Sequence, residues 1–414
     1  MKKARLFSLF LTLTLLFTTL PASAEEPLLI SPAPRETEES NWLIAPVKDA
    51  ADFSDITGSW CEAAVDTVCR TGLMQGKTAE RFDATSPLTY AQITVITARL
   101  HHLLSGGDGV LPAAGEGQAW YQPAADYLKA QSEDENLLYV LKRLEQEEPY
   151  PNTPCIRYTF VQMLSAVLPQ DALTPINDVT VILDLWNERA VILPFYQAGI
   201  LNGSDAYGTF GGETTLSRGA AAAIMARLVD PQQRLTFTPK SFDLCRDVLG
   251  VEPETVLLTV NGEEIPAALF AEQLCTSLYQ WEGNGVNAKK DAIRFWCQYQ
   301  GSLRVMAKEL GVTLSPEDQT AIGRIAEERD GYLGLPAAYW QFRQELIVLN
   351  HNMNNFYREK DWKWGANEYH SALEKISENM IQNTVPAPAL EAMDLSAVYQ
   401  RLMKSPFVQL QLQN

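Results

Sequence analysis

The stretch Gly199-Ile200-Leu201-Asn202-Gly203 indicates a fold built from repeats, because a similar stretch, Gly72-Leu73-Met74-Gln75-Gly76, lies far upstream in the same chain. Each stretch is followed by an aromatic residue, Phe210 or Phe82, and then by an apolar pattern with helical spacing. A repeated unit of this size cannot bury its apolar face alone and needs sister copies to pack against. The sequence therefore predicts a helical repeat array, which favours a binding function over a catalytic one.

Each of these two copies opens with an acidic segment, Phe53-Ser54-Asp55-Ile56 in the first and Ile176-Asn177-Asp178-Val179 in the last. We expect the aspartate of each segment to cap a helix. After the glycine turn, the second helix of each copy is predicted to begin near Leu88-Thr89 or Leu216-Ser217-Arg218. The predicted order in a copy is helix, glycine turn, aromatic residue, helix.

A degenerate copy lies between these two. Its first helix is predicted from Trp120-Tyr121 and residues 124–128 and its second helix spans residues 157–164, but Ser132-Glu133-Asp134-Glu135 and residues 145–154 replace the glycine turn. The array is therefore predicted to contain three copies, at residues 51–105, 106–170 and 171–232.

The N-terminus predicts export. Lys2, Lys3 and Arg5 precede the apolar run 6–20, and Pro21-Ala22-Ser23-Ala24 offers small residues for cleavage. This is the layout of a removable secretory signal peptide, predicted at residues 1–24. The alternative, a membrane anchor, is disfavoured because a spanning helix needs about 20 apolar residues and the apolar run 6–20 is shorter than that. We therefore expect a secreted protein without a membrane span after signal removal.

Residues 25–50 are rich in Pro and Glu and are predicted to form a linker.

The net charge of the chain indicates which classes of partner it can bind. The chain has 33 Lys and Arg against 51 Asp and Glu, a formal net charge of −18. Such a charge disfavours nucleic acid and anionic membranes as partners, because both repel an acidic protein.

The cysteines and histidines show no spacing typical of metal ligands or of a catalytic pair. An even number of cysteines in an exported chain allows disulfides, but we interpret most of them as small core residues. No metal, no cofactor and no catalytic residue is therefore predicted. The residues considered are Cys61, Cys69, Cys155, Cys245, Cys275, Cys297, His101, His102, His351 and His370.

The C-terminal part begins with a hairpin signal. Val256–Val260 is predicted as a strand, Asn261-Gly262 as a tight turn and Glu263–Ile265 as the returning strand. Pro266 is then predicted to start a helix, after which the sequence has helical spacing throughout. We expect a separate helical domain with a short β-hairpin at residues 251–395, preceded by a linker at 233–250 and followed by a tail at 396–414.

Apolar residues in this domain recur at intervals of three and four, which predicts buried helical stripes. Gly311 is predicted to end one helix, and Ser315-Pro316 to start the next. One predicted stripe consists of Ala292, Trp296, Tyr299, Leu303, Met306 and Leu310. A second consists of Phe342, Leu346, Leu349, Met353 and Phe356.

The repeats carry related tetrads at their second helices: Thr89-Tyr90-Ala91-Gln92, Ile156-Arg157-Tyr158-Thr159 and Ser217-Arg218-Gly219-Ala220. With the glycine turns, they resemble S-layer homology (SLH) domains, in which each motif carries a Gly-Ile-X-X-Gly turn and a Thr-Arg-Ala-Glu helix start. The first tetrad lacks the arginine, and the last has Ala220 in place of the glutamate. The resemblance implies a mainly α fold of pseudo-three-fold SLH helical repeats that hold a pyruvylated secondary cell-wall polysaccharide in their grooves.

This resemblance also implies a set of polysaccharide-binding residues. A guanidinium group pairs with a carboxylate at two points, and a helix start adds free backbone N–H groups. The alternatives are a surface role for the arginines, helix-ending turns for the glycines and core packing for the tyrosine. The candidate residues are Arg218, Arg157, Ser217, Gly203, Gly76, Thr89 and Tyr90.

The C-terminal domain resembles the N-terminal chaperone-like domain of SurA- and PrsA-type foldases. The resemblance is carried by Val260-Asn261-Gly262-Glu263, by the helix with Phe270 and by the stretch 308–315. It implies a domain that holds unfolded or extended polypeptides; the parvulin pattern is missing, so isomerase activity is not carried over. The candidates for its groove, with core packing as the alternative, are Tyr339, Trp340 and Phe342.

Three functions follow from the sequence. The first is a secreted protein of the cell wall or S-layer, anchored through its repeats and presenting a chaperone-like or protein-interaction domain. The second is an enzyme, either a peptidyl-prolyl isomerase with an unrecognised site or a hydrolase. The third is a purely structural S-layer component. The first is preferred, and we expect no enzymatic activity.

Overall fold

The computed structural model describes residue 44 and residues 53–408, apart from 147, 187 and 360–366. The predicted signal peptide and, except for Ile44, the predicted linker at 25–50 lie outside the described residues. The described chain is mainly helical with one small sheet, as the sequence predicts.

The helices are labelled in chain order. They are α1 (Glu62–Arg70), α2 (Tyr90–Leu104), α3 (Gln122–Gln131), α4 (Glu135–Gln146), α5 (Arg157–Ser165), α6 (Arg189–Gln197), α7 (Arg218–Val229), α8 (Ala267–Gln280), α9 (Gly285–Phe295), α10 (Ser302–Glu309), α11 (Pro316–Glu328), α12 (Ala337–Glu359), α13 (Asn367–Gln382), α14 (Pro388–Glu391) and α15 (Leu395–Leu402). The strands are β1 (Val256–Val260), β2 (Glu263–Pro266) and β3 (Thr384–Pro386).

The second helices of the outer copies begin where their capping residues lie. Thr89 forms a capping box with Gln92, and Ser217 accepts a hydrogen bond from the Ala220 N–H at the start of α7. These bonds satisfy backbone donors that the first turn leaves open. Helices α2 and α7 therefore begin directly after these side chains.

The repeats share one hydrophobic core that extends from the first copy to α7. Its largest fully buried side chains are Tyr196, Phe82, Phe160, Phe195 and Phe210. All six cysteines of the chain are buried, here or in the C-terminal core, which confirms their prediction as core residues.

The middle copy differs from its predicted form. Helix α4 lies mostly between residues 132–135 and 145–154, the two segments expected in place of the glycine turn, where no helix was predicted. It buries Leu137, Leu141 and Leu144 on one face, so its apolar residues pack on the shared core. A short 3-10 turn, Tyr150–Asn152, then leads to α5.

The predicted hairpin is present. Strands β1 and β2 pair antiparallel, and Asn261 and Gly262 both adopt positive φ, at 49° and 85°. Two such residues give a turn whose twist matches that of the strands. Strand β3, which the sequence did not predict, pairs with β1 on its other side.

The stripe predicted from Ala292 to Leu310 is interrupted. A π-helical turn, Trp296–Gly301, separates α9 from α10. Its wider turn shifts the side-chain register, so Trp296 remains buried while Tyr299 is 48% exposed. The prediction that Tyr299 belongs to the buried stripe is wrong.

Segments expected at the borders of the C-terminal domain take part in its core. Within residues 233–250, the π-helical turn Leu244–Leu249 buries four side chains. In the region expected as a tail, α15 and the buried Phe407 pack into the same core, while residues 409–414 lie outside the described part. Arg401 Nε donates to the Val248 carbonyl at 2.8 Å, which ties these two segments together.

The third copy packs directly against the C-terminal helices. Leu183 is buried in the C-terminal core, and its carbonyl accepts a hydrogen bond from the Leu333 N–H at 3.0 Å. The guanidinium carbon of Arg329 lies 3.8 Å from the centroid of the Trp186 ring. The C-terminal helices are therefore docked on the repeats through packing and backbone contacts.

The aromatic residues considered for a polypeptide groove lie in the core. Tyr339, Trp340 and Phe342 are all less than 10% exposed. Trp296 stacks on Phe342 with parallel rings. The core alternative for these three residues is therefore confirmed. Among the described helices, none combines the length and apolar character that crossing a membrane requires.

Candidate functional site

The second helices of the three copies begin at one shared point. The Leu88 N–H donates to the Leu216 carbonyl at 2.9 Å, the Leu216 N–H to the Cys155 carbonyl at 3.0 Å, and the Cys155 N–H to the Leu88 carbonyl at 2.8 Å. These three bonds close a ring in which every copy contacts both others. The ring brings the three tetrads together, although their residues are far apart in sequence.

Beside this ring, the residue that follows each capping position packs on an aromatic ring of a neighbouring copy. This repeated contact defines three junctions between copies. The pairs are Arg218 over Phe82 at 4.6 Å, Arg157 over Phe210 at 5.4 Å, and Tyr90 stacked on Tyr150 at 4.2 Å.

Arg218 is held tightly at its junction. Its Nε donates to the Phe82 carbonyl at 2.9 Å and its Nη2 to the Gln75 carbonyl at 2.6 Å. The residue is only 9% exposed, and burial lowers the pKa of its guanidinium group. Arg218 therefore joins the first and third copies through backbone acceptors, and it lies beside the glycine turn that ends at Gly76.

Arg157 occupies the corresponding place between the second and third copies but is bound differently. Its Nε is buried and has no hydrogen-bond partner among the described residues. Burial lowers its pKa, while the nearby Tyr196 and Asp184 oppose this shift. A buried guanidinium N–H without an acceptor is unfavourable. The Nε of Arg157 can therefore still donate a hydrogen bond to a further acceptor at this junction.

At the third junction, Tyr90 replaces the arginine. Its ring is buried against Tyr150, and the guanidinium carbon of Arg143 lies 4.0 Å from the Tyr150 ring centroid. Burial raises the pKa of Tyr150 above its usual range. Arg143 belongs to α4, so the inserted helix supplies a cation at the junction whose tetrad lacks one.

In each outer copy an aspartate holds the aromatic residue in place, and neither Asp55 nor Asp178 caps the first helix of its copy. Asp55 accepts hydrogen bonds from the N–H groups of Phe82 and Asp83 at 2.9 and 2.8 Å. In the third copy the same bonds, from Phe210 and Gly211, go to Asp184. The counterpart of Asp55 is thus Asp184 and not Asp178, so the predicted alignment of this segment was wrong by six residues.

The carboxylates of Asp55 and Asp184 differ in how deeply they are buried. For Asp55, the hydrogen bonds outweigh partial burial and lower the pKa. For Asp184, burial is the larger effect and raises the pKa despite the same two backbone donors. The two carboxylates therefore sit in different electrostatic environments despite the same contacts.

The two candidate residues with a hydroxyl group, Thr89 and Ser217, form hydrogen bonds with the helices that they precede. Thr89 Oγ1 accepts from the Gln92 N–H, and Ser217 Oγ accepts from the Ala220 N–H at 3.2 Å. Both lie in or beside the isolated bridges that join the copies. Their visible contribution is to fix where α2 and α7 start.

Gly76 and Gly203 lie where there is no room for a side chain, and Gly203 also has a positive φ. A Cβ on Gly76 would lie 2.3 Å from the Phe53 ring, which leaves no room for a side chain. Gly203 has a φ of 80°, and a Cβ there would lie 2.3 Å from the Gly208 carbonyl carbon. Both glycines allow tight loops beside the junctions.

Sequence reasoning did not single out Tyr150, Arg143 or Asp184. Tyr150 lies five residues before Cys155, close to the six-residue spacing of Phe82 before Leu88. That spacing is a signal from which it could have been found. Within the described residues, no group of His, Cys, Asp and Glu side chains could hold a metal ion.

No curated protein and no solved structure matches this chain. Residues 52–94, from the acidic segment to the first turn of α2, match the family model of the S-layer homology domain. This match supports an S-layer homology domain in the first copy, a kind of domain that is associated with the cell surface and with attachment to the cell wall.

Proposed function

We propose that three SLH copies, arranged with pseudo-three-fold symmetry, anchor this protein non-covalently to a secondary cell-wall polysaccharide. The observation that carries the proposal is the ring of helix starts, beside which Arg218, Arg157 and Tyr90 make the same kind of contact with a neighbouring copy. Equivalent contacts at equivalent positions are what stacked repeats produce. The proposal includes export through the cleaved N-terminal signal.

The chemistry of the junctions favours an anionic polymer. The chain has a net charge of −18, so arginines gathered at the junctions stand out from an acidic background. Arg157 has an unpartnered buried N–H group, which an acidic sugar could satisfy. A pyruvyl group on the polymer offers the planar carboxylate that a guanidinium group binds at two points.

Co-sedimentation with wall sacculi tests this proposal. We expect the protein to pellet with sacculi that retain their secondary polysaccharide, and to stay in solution when that polymer has been stripped. Binding should weaken as salt is raised, because the attraction is between charges. Retention on stripped sacculi would contradict the proposal.

The arginines are tested by the Arg157→Ala and Arg218→Ala variants, separately and together. We expect weaker retention, because each change removes a cation from a junction. Arg294→Ala is the matched control, since this exposed arginine lies in α9, far from the repeats in sequence. Unchanged retention of the double variant would remove both arginines from the site.

For the C-terminal domain we propose a chaperone-like or protein-interaction role. Apolar side chains are exposed from the end of α8 to the π-helical turn, and Phe295 and Tyr299 lie with ring centroids 4.6 Å apart. Exposed aromatic groups bind extended polypeptides by burying apolar surface. The exposed residues are Tyr279, Trp281, Val286, Phe295 and Tyr299.

Two assays on the full chain separate the alternatives. Suppression of aggregation of a denatured client, reduced by Phe295→Ser and Tyr299→Ser, supports the chaperone-like role. Acceleration of prolyl isomerisation in a peptide would instead favour a foldase with an unrecognised site. Neither activity, together with assembly of the protein into layers, would favour a purely structural S-layer component.

A further inference from the structure

Cations and aromatic residues come together on one exposed part of the C-terminal domain. From α9 to α10, residues 285–309 contain five Lys or Arg against two Asp or Glu, in a chain whose formal net charge is −18. The same part of the chain exposes Phe295 and Tyr299, by 36% and 48%. This surface, the basic aromatic face, consists of Val286, Lys290, Arg294, Phe295 and Tyr299.

The cations of this face are open to an incoming anion. Lys290 is exposed and has no ion-pair partner in the described part of the chain. Arg294 Nη2 lies 2.6 Å from Asp291 Oδ1, yet the Arg294 side chain is still 63% exposed. Lys289, on the neighbouring side of α9, pairs with Glu391 Oε1 at 3.3 Å. The face therefore offers one unpaired ammonium group and one accessible guanidinium group, enough for a single carboxylate.

The aromatic residues of the face form a pair at the end of α9. The ring centroids of Phe295 and Tyr299 are 4.6 Å apart. The π-helical turn that follows Phe295 buries Trp296 and Gln300, which leaves the two paired rings on the outside. Such a pair is a platform on which a further apolar side chain can bury part of its surface.

The spacing of cation and ring matches that of alternate residues in an extended polypeptide. Lys290 and Phe295 are five residues apart in α9. At 1.5 Å per residue this separation is about 7.5 Å along the helix axis. Alternate side chains of an extended chain point to the same side and are about 6.8 Å apart, whereas adjacent side chains point to opposite sides. The face therefore fits an acidic and an apolar side chain separated by one residue.

We propose that the basic aromatic face binds extended polypeptides in which an Asp or Glu lies two residues from an aromatic or large aliphatic residue. The carboxylate pairs with Lys290 and Arg294, and the apolar side chain packs on Phe295 and Tyr299. This inference rests on the proposed chaperone-like role and names the sequences that the domain selects among its clients.

An anionic membrane is the other macromolecule that cations and aromatic rings attract. Polybasic segments that bind membranes contain about four to eight Lys or Arg. Here Lys289 and Arg294 already contact carboxylates, and the acidic chain as a whole is repelled by an anionic surface. One carboxylate on a polypeptide meets the two accessible cations without bringing a sheet of anions close to the protein. The charge distribution therefore favours a polypeptide.

The test uses the full chain and four labelled peptides that share one host sequence of Gly, Ser and Thr. The peptides contain Glu-Thr-Phe, Gln-Thr-Phe, Lys-Thr-Phe or the adjacent pair Glu-Phe, and fluorescence anisotropy at low ionic strength gives their dissociation constants. The variants are Lys290→Glu, Arg294→Gln and Phe295→Ser. Lys142→Glu is the matched control, because it changes the net charge equally at an exposed lysine of α4, in the repeat array.

We expect the wild type to bind the Glu-Thr-Phe peptide about three- to fivefold more tightly than the Gln-Thr-Phe and Glu-Phe peptides, the gain typical of an exposed ion pair. The Lys-Thr-Phe peptide should bind more weakly still, although the net charge of the whole chain attracts it. Lys290→Glu should reverse the order of the glutamate and lysine peptides, and Arg294→Gln should reduce the preference for glutamate. Phe295→Ser should weaken all four peptides, and Lys142→Glu should bind like the wild type.

The outcomes separate this selectivity from the chaperone-like role. If the wild type suppresses client aggregation but prefers no peptide, or if Lys290→Glu keeps the wild-type order, the selectivity is overturned and the chaperone-like role stands. Binding to phosphatidylglycerol vesicles without binding to peptides overturns it in favour of a membrane. If the wild type neither binds a peptide nor suppresses aggregation, both proposals fail. Because Lys290 and Arg294 are exposed, circular dichroism should show an unchanged fold in their variants.

Discussion

Replacing Arg218 with alanine should destabilise the repeat array much more than replacing Arg157, although both arginines occupy corresponding positions. Arg218 donates to two backbone carbonyls, at 2.9 and 2.6 Å, and is 9% exposed. Loss of the donor leaves two polar acceptors without their partner in a closely packed region. Hydrogen bonds to a charged group are each worth about 1.5–3 kcal/mol, so we expect a loss of about 3 kcal/mol or more.

Arg157 provides the comparison. Its Nε has no acceptor among the described residues, and its ring contact with Phe210 is at 5.4 Å. Arg157→Ala therefore removes mainly a cation–π contact, worth about 1 kcal/mol. The same helix start and the same type of neighbour remain in both variants, so the difference isolates the two carbonyl bonds.

Urea unfolding followed by circular dichroism, with hydrogen exchange of the α7 amides, measures this difference. We expect a clear loss of protection in α7 for Arg218→Ala and a small one for Arg157→Ala. Equal destabilisation by the two changes would refute the argument. So would an unchanged midpoint for Arg218→Ala, since the two carbonyls would then be satisfied without the arginine.

Other predictions concern local strain, thiol burial and the packing of the two parts. Gly203→Ala should lower the melting temperature more than Gly262→Ala, because both have positive φ but only Gly203 lacks room for a Cβ. Burial raises the pKa of Cys155 to about 12, so its thiol should resist alkylation at pH 8.5 until the protein unfolds. Because the pKa of Cys155 is higher in the folded chain than in the unfolded chain, its protonated thiol contributes to the stability of the folded state below about pH 9. This contribution to stability should be lost as the pH rises toward 12. Arg329→Ala should uncover Trp186 and increase proteolysis between the repeats and the C-terminal helices, whereas unchanged cleavage would contradict docking through this contact.

Features encoded by neighbouring residues were predictable. Asn261-Gly262 specifies a tight hairpin because both residues tolerate positive φ, and the hairpin is present. Ser315 and Asp318 form a capping box at the start of α11, and Gly311 ends the helix before it. In each case the deciding interactions span only a few residues, so the sequence carries the whole signal.

Register over longer distances was less predictable. The π-helical turn at Trp296 moved Tyr299 out of the stripe that its spacing predicts, because packing around Trp296 outweighs the regular period. Strand β3 lies more than a hundred residues after its partner β1. Only the folded chain brings its backbone donors to that edge.

The residue pattern was enough to predict a mainly helical protein with recurring glycine turns and capped helix starts, and residues of its first copy match an S-layer homology domain. The roles of the arginines depend instead on contacts that arise only when distant copies pack together. The Arg218 guanidinium group donates to carbonyls that lie 136 and 143 residues away in the sequence. Arg99 has no hydrogen-bond acceptor in the described part of the chain, and nothing in the neighbouring sequence of either arginine indicates this difference. The physical reason is that a guanidinium group is satisfied by whichever carbonyls the packing of distant copies places within about 3 Å, and that placement is a property of the whole fold.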